Sequence, residues 1–439
     1  MAVRLQRTPS SSGSNSKFTF SAWVKRTSLG ALSPMFSAGS SGQSQIVFDA
    51  QDELGVYDGG TVIMETNAKF RDISGWYHIV VTLDATESGT DKAKLYVNGV
   101  QETSFKTDNR SSFSSLAKAN QSGQIQDIGS DGSGNFIGLM SHINLTDGYA
   151  YQASTFGSTD STSGEWKINT SPSVTYGTNG FFILKDSNSV TDQSGQSNNF
   201  TVSSGTLTST KDCPSNVYAI WNYLNRSLSS GIAGSGYGNG GTFIATEAAN
   251  NHRSFGSTLA FPGTGKFYAE FKIGNLGGAA VIGIMESEEA NTLLGKTDTG
   301  SFSDNAKGWG YKNNGYKENG GSSSAYGASF VNYSYLMLAY NNGALWFGKD
   351  GTWANSATST EIANATTGNA AYSGLDTTKN YYLMFRGYND SMIELNAGNG
   401  HFRTTTDGSN NPSTGDTNAL FKYAVPTGLQ PVSTKGFNA

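Results

Sequence analysis

The chain has 439 residues, 55 of them Gly and 8 Pro, with 12% aromatic and 14% charged residues and a formal net charge of -5. That aromatic share excludes a disordered chain, the abundance of Ser, Thr, Asn and Gly argues against helical bundles, and the lack of a basic block excludes nucleic acid as a partner. The single cysteine, Cys213, leaves no internal disulfide framework and no Cys-based zinc site.

The length suits two or three domains. No run approaches the ~20 apolar residues of a membrane helix. The opening MAVRLQRTPSSSGSNSKFTF lacks the apolar core of a secretory signal. The expectation is synthesis in a cytosol and exit by another route, such as release at lysis.

In chain order, KFTFSAWVKR (Lys17 to Arg26) alternates, with Phe18, Phe20, Ala22 and Val24 on one face and Thr19, Ser21 and Trp23 on the other. A second strand ends near Asp49, and GWYHIVVTLD (Gly75 to Asp84) is a third. AKLYVNGVQE places Asn98-Gly99 between two strand halves, the sequence of a type I′ hairpin. NFIGLMSHINLTDGYA adds a strand and a turn at Asp147-Gly148. FFILKD (Phe181 to Asp186) and NNFTVSS (Asn198 to Ser204) are strands inside a polar stretch. GIAGSGYGNGG (Gly231 to Gly241) is the most linker-like segment.

A second strand series follows. GKFYAEFKIGN (Gly265 to Asn275), AAVIGIME (Ala279 to Glu286), SYLMLAYNNGALWFGKDGTW (Ser334 to Trp353), NYYLMFRGYND and SMIELNAG all read as β. Short helices are predicted at Thr292 to Lys296 and near Tyr218 to Leu224. The fold class is therefore all-β, two antiparallel sandwiches, over 1–165 and 241–439, joined by an ordered polar connector over 166–240.

Three pieces in this order, Phe18 to Lys25, Gly75 to Asp84 and Lys94 to Gly99, resemble the laminin-G-like, concanavalin A-like jelly-roll family. The second half is similar to a SPRY sandwich at Gly265 to Phe271, Val281 to Ile284, Gly308 to Tyr311, Leu336 to Trp353 and Val425 to Leu429. The connector resembles that of tailed-phage structural proteins, notably of marine cyanobacterial phages. The residues are T-Y-G-T-N-G-F-F (Thr175 to Phe182), D-x-S-G-x-x-N-N-F-T (Asp192 to Thr201) and P-S-N-V-Y-A-x-W-N (Pro214 to Asn222). The resemblance implies a non-enzymatic virion protein on the exterior of a capsid or tail. Its expected partners are other virion proteins, further copies of itself and host-surface glycan.

The chemistry-bearing residues are few. His78, His142, His252 and His401 show no metal-binding spacing, and no cofactor or metal is expected. Asp127, Asp131 and Asn135 lie in a Gly-rich loop that suits either calcium or a plain polar turn. Glu286, Glu288 and Glu289 in MESEEA read as a solvated loop rather than a glycosidase pair. GWGYKNNGYKENGG gathers Trp309, Tyr311, Asn313, Asn314, Tyr316 and Asn319, and KDGTWANS adds Trp353. Aromatic faces beside amides are the make-up of a sugar site. The competing reading packs Trp309 and Trp353 into the core. The functions weighed are a virion appendage, a glycan-recognising tail fibre and a polysaccharide depolymerase.

Overall fold

The computed structural model describes residues 3–40, 43–226, 237–246, 252–293, 301–402, 405–406 and 408–438. They fall into two units, Met1–Ser209 with Cys213–Ser215, and Thr210–Asp212 with Asn216–Ala439. The stretch 166–240 is divided between them. The linker-like residues 231–236 lie outside the described residues, and 237–241 form a short strand and a 3-10 turn.

In the first unit, strand alternation sets the layers. Phe18, Phe20, Ala22 and Val24 are fully buried on one face of Lys17–Arg26, as period-two geometry requires. Their sheet runs Phe181–Ile183, Gly138–Asp147, Lys17–Arg26, Tyr77–Asp84, Ala93–Val97, Val100–Gln101. The facing sheet begins Phe105–Asp108, Thr61–Lys69, Glu53–Asp58, Ser44–Phe48. It continues Ser33–Ala38, Gln126–Ile128, Arg4–Arg7, Thr201–Ser204. Phe20 and Phe36 meet across the layers at 5.8 Å. The turn at Asn98-Gly99 has positive φ at both positions, 49° and 80°, the type I′ geometry. Trp23 points to the outer face and stacks on His78 at 4.8 Å. The hairpin Gly157–Thr159 with Trp166–Ile168 brings a second indole, Trp166, to the edge of that imidazole, with its Nε1 2.9 Å from His78 Nδ1.

One buried amide closes this unit. Asn179, 2% exposed, donates its Nδ2 to Ser11 O and Asn120 O. It accepts Arg7 at both its backbone oxygen (3.0 Å) and its Oδ1 (3.2 Å). Its N–H goes to Asp147, whose other carboxylate oxygen holds Ser14 N–H. Nearby, Asp192 accepts the N–H groups of Phe182, Ser194 and Asn198 and the Ser194 hydroxyl. Asn198 donates to Thr178 O and Gly180 O.

The second unit repeats the plan. One sheet is Trp221–Arg226, His252–Pro262, Asn380–Tyr388, Ala279–Glu286, Gly308–Lys312, Tyr316–Asn319, Ser322–Ala325. The other is Tyr237–Gly238, Phe243–Ala245, Met392–Asn396, Lys266–Asn275, Tyr335–Asn341, Ala344–Lys349, Thr352–Trp353. Their inner faces meet at Phe261 and Phe267 (5.0 Å) and at Trp221 and Phe271 (6.2 Å). Asn216 closes this unit. Its Nδ2 reaches Asp416 Oδ2 (2.6 Å) and Tyr218 Oη, and its Oδ1 accepts Lys435 N–H and the Thr434 hydroxyl.

Three expectations are corrected. Trp221–Arg226, overlapping the segment expected as a helix, is a strand, and Ala219 and Trp221 are drawn two residues apart into a β-sheet core. The other helix begins earlier, at Ser287, and runs to Leu293, with 294–296 outside the described residues. Glu288 and Glu289 therefore stand on the first turn of a helix, where acids are favoured, and Glu286 is buried at a strand end.

Asp192→Ala is expected to lower the stability of the full chain by about 2–4 kcal/mol, since four charged-acceptor bonds are lost and the Phe182 N–H stays buried without its partner. A urea midpoint unchanged from wild type would contradict this.

Candidate functional site

Among the described residues, eight large hydrophobic side chains are exposed, and three of them, Tyr316, Val331 and Tyr333, fall within 18 residues of the second unit. These three lie on two segments that the backbone joins by hydrogen bonds. The turn 313–315 links two neighbouring strands. Asn314 Oδ1 caps it by accepting Tyr316 N–H at 3.2 Å. The segment 326–334 is bonded to this turn. Tyr326 and Gly327 both donate to Gly315 O, and Phe330 N–H donates to Asn313 O at 2.9 Å. Gly315 has φ +88°, and a Cβ there would meet Gly327 O at 2.4 Å, so only Gly permits the join.

Phe330, 1% exposed, plugs the segment into the core against Tyr311 at 5.6 Å. The next three residues are thereby lifted to the surface. Tyr333 is 72% exposed with φ +68°, a conformation costly for a bulky side chain. It is held there by Tyr333 N–H to Ile273 O (2.7 Å), by Ile273 N–H to Ser334 O and by Leu276 N–H to Asn332 Oδ1 (2.8 Å).

Of the residues singled out in the sequence, the structure brings Asn313, Asn314 and Tyr316 to this surface. Trp309 lies half-buried on the inward face, edge-on to Tyr381 at 5.9 Å. Tyr311 is fully buried, stacked on Phe347 at 5.3 Å with its hydroxyl donated to Ala328 O. Burial pushes that phenol up to about 12. Trp353 sits in the other sheet, 9% exposed, with its Nε1 3.3 Å from Ser359 Oγ. Asn319 turns inward to donate to Ala306 O and Gly308 O. Val331, Asn332 and Tyr333 were not signalled by composition or spacing.

The other candidate chemistry is tied down. Asp127 is held by Arg4 through two bonds of 2.8 and 2.7 Å. Asp131 caps its own loop through Ser133 and Gly134 N–H, which is the polar-turn arrangement. Glu286 pairs with Lys307, Glu288 with Lys379, and Glu289 accepts Asn305 Nδ2. Asp49, Glu53 and Glu65 bring ligand atoms within 4.8 Å of one another. Lys106 and Lys69 neutralise Glu53, and Glu65 accepts the Tyr57 hydroxyl.

His78 is fixed as a neutral residue. Trp166 Nε1–H donates to its Nδ1 at 2.9 Å, and an indole nitrogen only donates. Nε2 therefore carries the proton and gives it to Ser21 Oγ at 2.9 Å. This is the reverse of what nucleophile activation requires. Burial drives His78 down to about 3. Glu270, fully buried in the second unit, accepts four bonds, from Tyr268, Asn396, and the N–H groups of Lys422 and Tyr423. Burial nonetheless raises it to about 7.

Residues 3–150, about a third of the chain, match the model of the concanavalin A-like lectin/glucanases superfamily. No curated protein matches the chain. Among solved structures, the SPRY domain of human HERC1 is 12% identical, with a TM-score of 0.30, and covers 40% of this chain and 96% of its own. A putative carbohydrate binding protein from Bacteroides ovatus is 16% identical, at TM-score 0.31, over 46% of this chain and 57% of its own. A heptameric SAP-like pentraxin from Limulus polyphemus is 13% identical, at 0.27, over 38% and 86%. Likeness at this level transfers neither ligand nor role.

Tyr333→Gly is expected to raise stability by up to about 1 kcal/mol, because Gly takes positive φ without penalty; a lower denaturation midpoint would count against the strained-loop account. The buried groups give opposite pH responses. His78, depressed in the fold, contributes stability above pH 6.5 that is lost as pH falls towards about 3. Glu270, raised in the fold, contributes stability below pH 4.5 that is lost as pH rises through about 7, on the order of 3 kcal/mol. Urea titrations of His78→Gln and Glu270→Gln should each flatten one limb of the wild-type profile, and an unaltered slope in either would refute its assignment.

Proposed function

We propose that the chain is a non-enzymatic, carbohydrate-contacting surface protein, carried on the exterior of a tailed-phage particle and attached to its capsid or tail proteins. The observation that carries the carbohydrate reading is the bonded loop pair that holds Tyr316 and Tyr333 outward beside Asn314 and Asn332. Exposed rings offer flat apolar faces to sugar C–H groups, and the neighbouring amides offer hydrogen bonds. The match of residues 3–150 to a superfamily whose description includes lectins supports the same reading.

The virion setting draws its support from the connector motifs, Thr175 to Phe182, Asp192 to Thr201 and Pro214 to Asn222. Self-assembly is part of the proposal. Ser322–Ala325 is an exposed edge strand, and symmetric packing is a common way to cover such edges. A tail fibre that recognises host glycan would use the same surface. A depolymerase is disfavoured by the pairing of Glu286, Glu288 and Glu289 with Lys307, Lys379 and Asn305.

Glycan arrays and host-cell binding are expected to show sugar recognition that weakens about tenfold or more in the Tyr316→Ala/Tyr333→Ala double variant. If arrays and intact cells both stay blank, the carbohydrate reading falls and a purely architectural role remains. Antibody labelling that finds the protein absent from particles would remove the virion reading.

A further inference from the structure

The first unit carries a groove of about 470 Å³ between the end of Arg4–Arg7 and the loop before Thr201–Ser204. Its lining is mainly hydroxyl and amide, Thr8, Ser10, Ser197, Asn198 and Asn199, with Pro9 between them and Arg7 beneath. Several of these groups keep capacity to spare. Asn198 spends both its N–H bonds on Thr178 O and Gly180 O, which leaves Oδ1 as an acceptor. Asn199 uses Oδ1 to accept Asp192 N–H, which leaves its Nδ2 as a donor. Thr8, Ser10, Ser197 and Asn199 are exposed, and no side-chain bond within the protein engages the three hydroxyls among the described residues.

The lip is rigid before any ligand arrives. Asp192 holds Ser194 and Asn198 from inside the loop, and Ser197 stands at φ +61°, a strained position that its neighbours over-determine. A preorganised lip loses little entropy on binding. Arg7 is 7% exposed, and among the described residues it has no carboxylate within ion-pair distance; both its side-chain hydrogen bonds go to Asn179, and its guanidinium lies over the rings of Phe181 and Phe200. Asp147 and Asp192 lie close enough to act on its charge, and their oxygens are turned to N–H and O–H groups of the protein. One cation against two acids gives no excess positive field, so the groove does not select an anion. It lacks an exposed aromatic ring and a basic rim, so it does not suit a nucleobase or a phosphate chain.

Alternating donors and acceptors without net charge fit a polyol. We propose that this groove is a second saccharide site, for a short neutral sugar held through its hydroxyl groups. It extends the sugar-contacting reading above to the first unit, yet uses none of the residues on which that reading stands. An open polar groove of this kind implies dissociation constants on the order of millimolar.

The test is saturation-transfer NMR on the full chain with maltose, lactose, cellobiose and chitobiose, and with sialyllactose as the acidic comparison. Wild type should saturate at least one neutral disaccharide, with no change in 0.5 M salt (roughly a fivefold step above common buffers). Ser10→Trp, which fills the groove from an exposed position, should weaken that signal about tenfold or more. Tyr316→Ala/Tyr333→Ala should leave a groove-derived signal in place. Circular dichroism checks each fold. Should Ser10→Trp prove unfolded, Asn199→Asp takes its place, since it retains the acceptor for Asp192 N–H and replaces the free donor with a charged acceptor that a sugar hydroxyl group cannot use in the same way. The groove proposal is overturned by a signal that Ser10→Trp does not touch, by recognition confined to sialyllactose, or by no signal. Complete loss in the double tyrosine variant alone also overturns it, and leaves the loop site standing.

Discussion

A buried asparagine amide ties the beginning of each unit to its end. In the first, Asn179 gathers Arg7, Ser11, Asn120 and Asp147. In the second, Asn216 gathers Tyr218, Thr434, Lys435 and Asp416. An amide suits this task because it carries two donors and an acceptor in one plane. Each bond adds only about 1 kcal/mol net when made, but a buried group left unmatched costs more. The closure is therefore close to all-or-none. Partial pairing is worse than either full pairing or none, and this fixes a single register for the terminal strands.

The loops depend on that closure. The groove in the first unit exists because residues 6–10 are drawn beside residues 197–201, and Gln6 pairs with Thr201 across the strands. The exposed tyrosines of the second unit rest on a different device, a plug. Phe330 enters the core and its neighbours are forced out. In both cases the exposed polar or aromatic groups are positioned by buried ones a few residues away, on backbone that is already hydrogen-bonded.

The strand framework could be read from the sequence because period two survives in the core strands. Phe18, Phe20, Ala22 and Val24 face inward as their spacing requires. The same rule places Trp309 and Tyr311 on one inward face, in agreement with the core-packing alternative for Trp309 and against a sugar-contacting role for either ring. Asn179, Asp192, Asn198 and Asn216 were visible as parts of distinctive motifs, with no indication that their side chains would be clamps. Their partners lie far away along the chain, up to 219 residues for Asn216 and Lys435, and no local pattern records such a distance. Tyr333 was hidden for another reason. Positive φ in an aromatic residue is imposed by tertiary bonds to Ile273 and Leu276, not by local preference.

The pairing of Arg4–Arg7 with Thr201–Ser204 bears on how the chain is made. At ribosomal speeds of about 5–20 residues per second, roughly 10–40 s separate the emergence of Arg7 from that of Thr201. During that interval one flank of the eight-stranded sheet has no mate, and its open amides are available to any neighbouring nascent chain. Shielding of the leading segment until its late-arriving mate appears would limit such mispairing.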